Sequence, residues 1–169
     1  MKKFELTDEF VTNVFGHKLF RIKALVAFGD VEKGELGGFI EKEDNLSHDD
    51  NAWVFDNARV FGDAQVFGNA RVSGNAWVSG DARVFGDARV YGNADYAAVA
   101  GFGRYSRTTT FFRCKDKILR VQCGCFYGDL AQFREIVKKT HGDSKYAKEY
   151  LAIADLMELH FSDECGGEQ

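Results

Sequence analysis

Residues 51–92 read NAWVFD, NARVFG, DAQVFG, NARVSG, NAWVSG, DARVFG and DARVYG. These are seven consecutive six-residue units of the form [Asn/Asp]-Ala-x-Val-x-[Gly/Asp], followed at 93–98 by a decaying eighth, NADYAA. One unit is too short to bury anything by itself, so a period this regular predicts a solenoid in which each turn of chain covers the next. Side chains alternate along extended chain. Ala and Val, two apart, therefore point to one side, and the residue after each points to the other. Val suits a strand and Ala a tight corner. The Gly-Asn and Gly-Asp junctions tolerate the positive φ of a turn. Three such strands close one triangular coil, and coils stack about 4.8 Å apart. Each buried Val contributes roughly 1.5–3 kcal/mol, which over seven units offsets the ordering of the turns.

This pattern resembles the left-handed parallel β-helix of the hexapeptide-repeat superfamily. The resemblance, and not the arithmetic, implies the hand. The expected fold is mainly β: a short left-handed parallel β-helix of about three to four coils, with an N-terminal cap and a C-terminal β-hairpin plus two α-helices.

Three zones follow along the chain: a cap segment at 1–50, the repeat at 51–107, and a hairpin with two helices at 108–169. The cap should contain a hairpin within 18–31 and a glycine pair, Gly37-Gly38, ahead of Phe39-Ile40. Ile40 and Leu46 are six apart and start the repeat phase in degraded form. The spacing of eight from Leu46 to Val54 predicts a two-residue bulge near His48-Asp49-Asp50. Such a cap shields the open strand edge of the first coil. Tyr96, Phe102 and Thr108 keep the six-residue phase, so a fourth coil is expected to end near Arg107. Beyond it, 108–114 and 118–124 read as a hairpin around Lys115-Asp116-Lys117, with Phe112, Cys114, Leu119, Val121 and Cys123 on its inner face. Asp129 caps a first helix (Leu130, Phe133, Ile136, Val137) that Gly142 ends. Asp143 or Ser144 caps a second, striped by Tyr146, Tyr150, Ile153, Ala154, Met157 and Phe161.

No apolar run approaches the roughly 20 residues of a membrane span, and no secretory signal follows Lys2 and Lys3. The four cysteines, Cys114, Cys123, Cys125 and Cys165, lack the context of a secreted disulfide framework. A reduced, cytoplasmic protein is expected. The chain carries −4 overall, yet 51–113 holds seven arginines against five aspartates, a net +2, leaving −6 elsewhere. That asymmetry suits a small anionic partner and is too slight for long nucleic acid.

Outward positions carry the functional information, since Ala and Val face in. Residues one coil apart stack on one face. The first face carries Trp53, Arg71 and Arg89 beside Phe55, Ser73 and Tyr91. The second carries Arg59, Trp77 and Asp95 beside Phe61, Ser79 and Ala97. The third carries Gln65 and Arg83 beside Phe67 and Phe85. Aromatic rows with arginine have the composition of interfaces, so Phe55, Phe61, Phe67 and Phe85 are expected to pack on sister subunits or on the C-terminal helices. The alternative use of the same rows is a ligand site. Stacked arginines repel unless a negative group lies between them, so Arg71 and Arg89, with Trp53 and Tyr91, could hold a phosphate and a base; Arg59 and Trp77 form a second such pair. Aspartates or the C-terminal tail could neutralise the same arginines instead.

Hexapeptide-repeat proteins are typically homotrimers, and many are acyltransferases that use acetyl-CoA and a histidine base at the subunit interface. The resemblance therefore implies a trimer. Against transfer chemistry, 51–113 contains no histidine, and His48, a weak candidate, is the single histidine near the coils. Cys123-Gly124-Cys125 with Cys114 and His141 lacks the paired C-x₂-C spacing of a zinc site, so no metal is expected. Gly101-Phe102-Gly103-Arg104 lacks the strand–helix context of a phosphate loop. No cofactor is implied.

The flanks carry a further likeness. Leu19-Phe20-Arg21-Ile22-Lys23-Ala24, Phe28-Gly29-Asp30-Val31, Gly37-Gly38-Phe39-Ile40 and Asp44-Asn45-Leu46-Ser47 resemble the lead-in segment of hexapeptide-repeat proteins of phages and prophages. Thr108-Thr109-Thr110-Phe111-Phe112, Cys123-Gly124-Cys125-Phe126-Tyr127-Gly128 and Thr140-His141-Gly142-Asp143 resemble a small domain that follows such repeats in phage proteins. The function this implies is a non-catalytic oligomeric binding protein. It would act in counter-defence, inhibiting a host immune component or sequestering a signalling nucleotide. The alternatives are an acyltransferase and a virion or assembly component.

Overall fold

A computed structural model describes residues 1–162. Three strands open the chain: β1 (Phe4–Thr12), β2 (Lys18–Ala24) and β3 (Leu36–Ile40). Seven two-residue strands follow, one per hexad: β4 (Trp53–Val54), β5 (Arg59–Val60), β6 (Gln65–Val66), β7 (Arg71–Val72), β8 (Trp77–Val78), β9 (Arg83–Val84) and β10 (Arg89–Val90). The chain then forms β11 (Tyr96–Phe102), β12 (Arg107–Arg113), β13 (Leu119–Cys123), β14 (Phe126–Asp129), α1 (Leu130–His141) and α2 (Lys145–His160).

The hexads build a β-solenoid with three parallel faces. Val54, Val72 and Val90 are paired in one sheet, Ile40, Val60 and Val78 in a second, and Val66 and Val84 in a third, with Leu46 bridged to Val66. Every repeat Ala and Val, from Ala52 to Val90, is fully buried. The inward assignment of these two positions therefore stands. Corners close where an Ala N–H donates to the carbonyl three residues back, as from Ala58 to Phe55 at 3.1 Å. The residue after that carbonyl has positive φ, between 62° and 69° at Gly62, Gly68, Gly74, Gly80 and Gly86. Asp56 takes the same place in the first hexad at φ 55°, a conformation Asp tolerates better than most residues.

The N-terminal segment extends one face of the solenoid. The strand order is β1-β2-β3-β5-β8, antiparallel until β3 and parallel after it. Ile40 pairs with Val60 and Leu46 with Val66, each an offset two residues longer than within the repeat. The extra pair is absorbed around Asp50, at φ 56°. The hairpin expected within 18–31 is displaced upstream: β2 pairs with β1, and Phe28 and Val31 form only a small bridge. Gly37 and Gly38 are needed for close approach. A Cβ at Gly38 would lie 2.6 Å from the Ala58 carbonyl oxygen, and one at Gly37 2.7 Å from Ile22.

Trp53 is the main correction to the outward set. It occupies an outward position of its hexad yet is fully buried. Phe4 and Phe28 close over it edge-on, with centroids at 6.2 and 5.3 Å. The first coil has no coil beneath it, so a large apolar side chain there seats the cap.

The C-terminal zone also departs from expectation. The fourth coil does not form. Ala97 and Ala98 stand where earlier hexads place the turn, so the chain stays extended, and β11 runs antiparallel to β12 in a four-stranded sheet β11-β12-β13-β14. The expected hairpin is the β12–β13 half of that sheet. Its inner face is reassigned: Phe111 pairs with Val121 and faces the helices, whereas Phe112 and Cys114 turn into the solenoid core. Two adjacent phenylalanines made either choice consistent with alternation. The helices cover the far side of the sheet with Phe133, Val137, Tyr150, Ile153, Ala154, Met157 and Phe161. Asp129 caps α1, accepting from the Gln132 N–H at 2.8 Å, and Gly142 ends it at φ 58°. Of the two candidate caps for α2, Ser144 is used.

The chain after the repeat also answers donors left by the last coil. The N–H groups of Trp77, Ser79 and Arg83 donate to the side chains of Asn93, Tyr96 and Thr110 at 2.7, 3.4 and 3.2 Å. At the other end, Lys3 donates to the Ala52 carbonyl at 2.8 Å and Asn45 to those of Gly62 and Ala64 at 3.1 and 2.9 Å. Both open edges are thus closed by cap side chains.

Candidate ligand-binding site

Strand register brings Arg71 directly beside Arg89, and Trp53 beside Arg71. Neighbouring arginines need a compensating group, and the cap supplies one. Arg71 forms an ion pair with Asp30 while its guanidinium lies 5.2 Å from the centre of the Phe55 ring. Arg89 bends along the coil edge and donates to the carbonyls of Asn69 and Ala88, both at 2.9 Å. Of the aromatic partners expected here, Trp53 is sealed under the cap, and Tyr91 is 63% exposed. The Tyr91 N–H donates to Asp95 at 3.0 Å, which fixes the strand end that carries the ring.

Arg59 and Trp77 meet on a different face, with the guanidinium 5.2 Å from the indole and Phe61 edge-on to it at 6.3 Å. They do not join the Arg71–Arg89 group. Phe55, Phe61 and Phe67 are half-buried on the three faces. Phe85 packs on the chain's own C-terminal sheet, against Phe112 and Tyr127.

His48 is built into the cap. Its Nδ1 accepts the Lys3 N–H at 3.1 Å, its ring stacks on Phe4 at 4.2 Å, and its Nε2 lies 3.6 Å from Glu43. One ring nitrogen is thus engaged by a backbone N–H and the other is turned toward Glu43, so both are used within the cap. Among the described residues no group of three or more His, Cys, Asp or Glu side chains is placed to hold a metal ion. Cys114 is buried, and burial raises its thiol pKa. Tyr127 beside it is pushed up to about 12, first by burial and then by the Cys114 thiol. Cys165 lies outside the described residues.

The repeat ends in a cleft of about 540 Å³ where the last coil meets the C-terminal sheet. Arg89 and Tyr91 line it from the solenoid. Arg113, Lys115 and Lys117 line it from β12 and the turn after it, with Asp95 between. The Lys115 N–H donates to the Asp87 carbonyl at 2.9 Å, and Ala88 is bridged to Cys114, so this turn is held on the coil edge. Arg113 is 3.4 Å from Asp95 and donates to the Phe161 carbonyl at 2.8 Å. Among the described residues neither lysine ammonium has a carboxylate partner. A second hollow, bordered by Arg71 and Asp30, shares Arg89 and Lys115 with the cleft.

Sequence spacing found Arg89 and Tyr91 but missed Arg113, Lys115 and Lys117. The 18-residue rule does not extend to a strand outside the repeat. The one available signal was two lysines flanking Asp116 directly after the arginine of β12.

Among the described residues no helix is long and apolar enough to cross a membrane. The family model described as the YdcK beta-solenoid repeat matches residues 64–80, and no match to a curated protein is found. The matched segment is just under one coil, and together with the parallel ladders it marks the chain as a β-solenoid repeat protein.

Proposed function

We propose that this protein is a non-catalytic binding protein of phage or prophage origin that captures a small anionic, ring-bearing ligand such as a signalling nucleotide. The observation that carries this reading is the cleft at the end of the repeat. There Arg89, Arg113, Lys115 and Lys117 line one cleft together with the exposed Tyr91 ring. Charged donors suit phosphate, and an aromatic face suits a base. Asp95 is the one carboxylate in this lining, and it is already engaged by Arg113 and the Tyr91 N–H. Resemblance to hexapeptide-repeat proteins extends the proposal. The coils wind left-handed, three chains associate through rows that include Phe55, Phe61 and Phe67, and the protein acts in the cytoplasm of a bacterial host.

The acyltransferase alternative has less support, because His48 is engaged through Nδ1 and the seven hexads at 51–92 contain no histidine. Direct inhibition of a host protein remains the outcome if no nucleotide binds.

The experiment is calorimetric titration with cyclic nucleotides and NAD-derived signals, on the native protein and on Arg89→Ala/Lys117→Ala. Saturable binding that weakens at least tenfold in the variant, and weakens as salt is raised, supports the reading. Absence of binding by every nucleotide, or equal binding by the variant, overturns it. Analytical ultracentrifugation tests the trimer separately.

A further inference from the structure

A second cavity, of about 440 Å³, lies on the helical side of the C-terminal sheet, at the end of the sheet opposite Arg113. Its lining is largely apolar: Phe126 from β14, Phe133, Ile136 and Val137 from α1, and Tyr150 from α2, with Thr140 and His141 at the end of α1 adding polar groups. Its mouth is cationic. Arg104 and Arg107 flank Tyr105 on the turn between β11 and β12, with their guanidinium carbons 5.6 and 4.9 Å from the centre of that ring.

Several features shape this cavity. A side chain at Gly103 would collide with the Tyr150 hydroxyl, and one at Gly124 with the Arg107 guanidinium, so two glycines give Tyr150 and Arg107 their places. The Tyr150 hydroxyl donates to the Phe102 carbonyl at 3.4 Å, which ties α2 to the turn bearing the arginines. The nearest carboxylate on α2, Glu149, is occupied elsewhere, accepting the Gly103 N–H at 2.9 Å. Among the described residues neither Arg104 nor Arg107 has a carboxylate partner. Burial, and then the neighbouring Cys123 thiol, push the Tyr150 phenol up to about 12.

An apolar cavity of this size with two convergent cations has the form of a small-molecule site. We infer that it binds a small organic anion, with a planar apolar body against Phe133, Ile136 and Tyr150 and a carboxylate or phosphate held by Arg104 and Arg107. The two guanidinium groups select for charge at the mouth, and the walls select against hydrated, sugar-like bodies. This site is separate from the cleft at Arg89 and does not depend on it.

The test titrates the full chain with 2-naphthoate, 2-naphthyl phosphate and the neutral 2-naphthylmethanol, followed by calorimetry and by amide chemical shifts. At least one anionic probe should saturate, bind about tenfold or more tightly than the alcohol, and shift amides of α1 and the 103–107 turn. Arg104→Ala/Arg107→Ala should lose about tenfold or more in affinity with an unchanged melting temperature, because both side chains are exposed. Ile136→Trp should fill the cavity and abolish binding, whereas Arg89→Ala/Lys117→Ala should leave it intact. Equal affinity for the alcohol, no saturation by either anion, or full binding by the double arginine variant would each overturn the assignment. The two sites fail independently, since each has its own probe and its own variant.

Discussion

The rings of Phe67 and Phe85 lie parallel, with an interplanar angle of 2° and centroids 4.8 Å apart. They hold the same position in successive coils of one face, and their separation is that of neighbouring strands. Phe85 continues the row outward, meeting Tyr127 at 4.7 Å and Phe112 edge-on at 5.7 Å. One aromatic column therefore joins the solenoid to the C-terminal sheet. Phe4 and Trp53 make the matching contact at the N-terminal end.

Phe85→Ala should accordingly cost more than Phe67→Ala. Full truncation of a buried Phe costs about 3–5 kcal/mol, and Phe85 is half-buried but contacts three rings. A loss of about 2–3 kcal/mol is expected for Phe85→Ala and about half that for Phe67→Ala, measured by urea denaturation. Because the two rings share a contact, the double variant should lose less than the sum. Strict additivity would mean that the stack contributes nothing.

Gly38→Ala should be strongly destabilising although Gly38 carries no positive φ. The added methyl would meet the Ala58 carbonyl oxygen at 2.6 Å and the Val54 side chain at 2.7 Å, with backbone on one side and core on the other. Gly80→Ala is the contrast: its φ is 66°, and nothing lies within 4 Å of the added methyl. The second substitution should cost about 1 kcal/mol from backbone strain alone, and the first at least twice that. Thermal melts of the two variants side by side check the order.

Asn45 is fully buried, and both ends of its amide are used. Its nitrogen donates to Gly62 and Ala64, and its oxygen accepts the Lys42 N–H at 2.9 Å. Asn45→Ala orphans those groups and should cost about 2–3 kcal/mol. Asn45→Asp is nearly isosteric but cannot donate and would bury a charge, so it should be worse at pH 7 than at pH 4. A chemical-denaturation series at the two pH values reads this difference.

Lys3 is nearly buried, and that burial lowers its ammonium from 10.5 to about 8, against the attraction of Asp50 and Asp49. Between about pH 8 and 10.5 the unfolded chain keeps a proton that the folded chain has released, so this residue makes stability rise with pH across that window. Tyr127 and Tyr150, both raised to about 12, act in the opposite sense above about pH 10, because the unfolded chain releases their protons first. The difference between the native protein and Lys3→Met isolates the lysine. It should shift in favour of the native protein from pH 8 to 10, and a flat difference would contradict the assignment.

Much of the solenoid was legible in one dimension. Hexads of one pattern place Ala over Ala and Val over Val at every 18 residues, so pairing, inward faces and most corner glycines follow from the period. Even the bulge at Asp50 was visible as a broken spacing between Leu46 and Val54. The reading failed where the period ended. Tyr96 and Phe102 keep the six-residue phase, but the turn residues have already gone, and the chain turns to antiparallel pairing. In the candidate site, Arg89 and Tyr91 came from the repeat, but Lys115 and Lys117 came from a turn whose position depends on the β12–β13 register.

The amino-acid order alone determined that this chain stacks short parallel strands with alanine and valine inside, because a repeated local pattern specifies its own neighbours. Only the tertiary structure decided that Trp53 is covered, that Asp30 pairs with Arg71, and that cations from β12 and its turn gather at the last coil. Those relationships join segments with no common period. They are set by how caps close the two exposed ends of the stack, and no spacing rule encodes that.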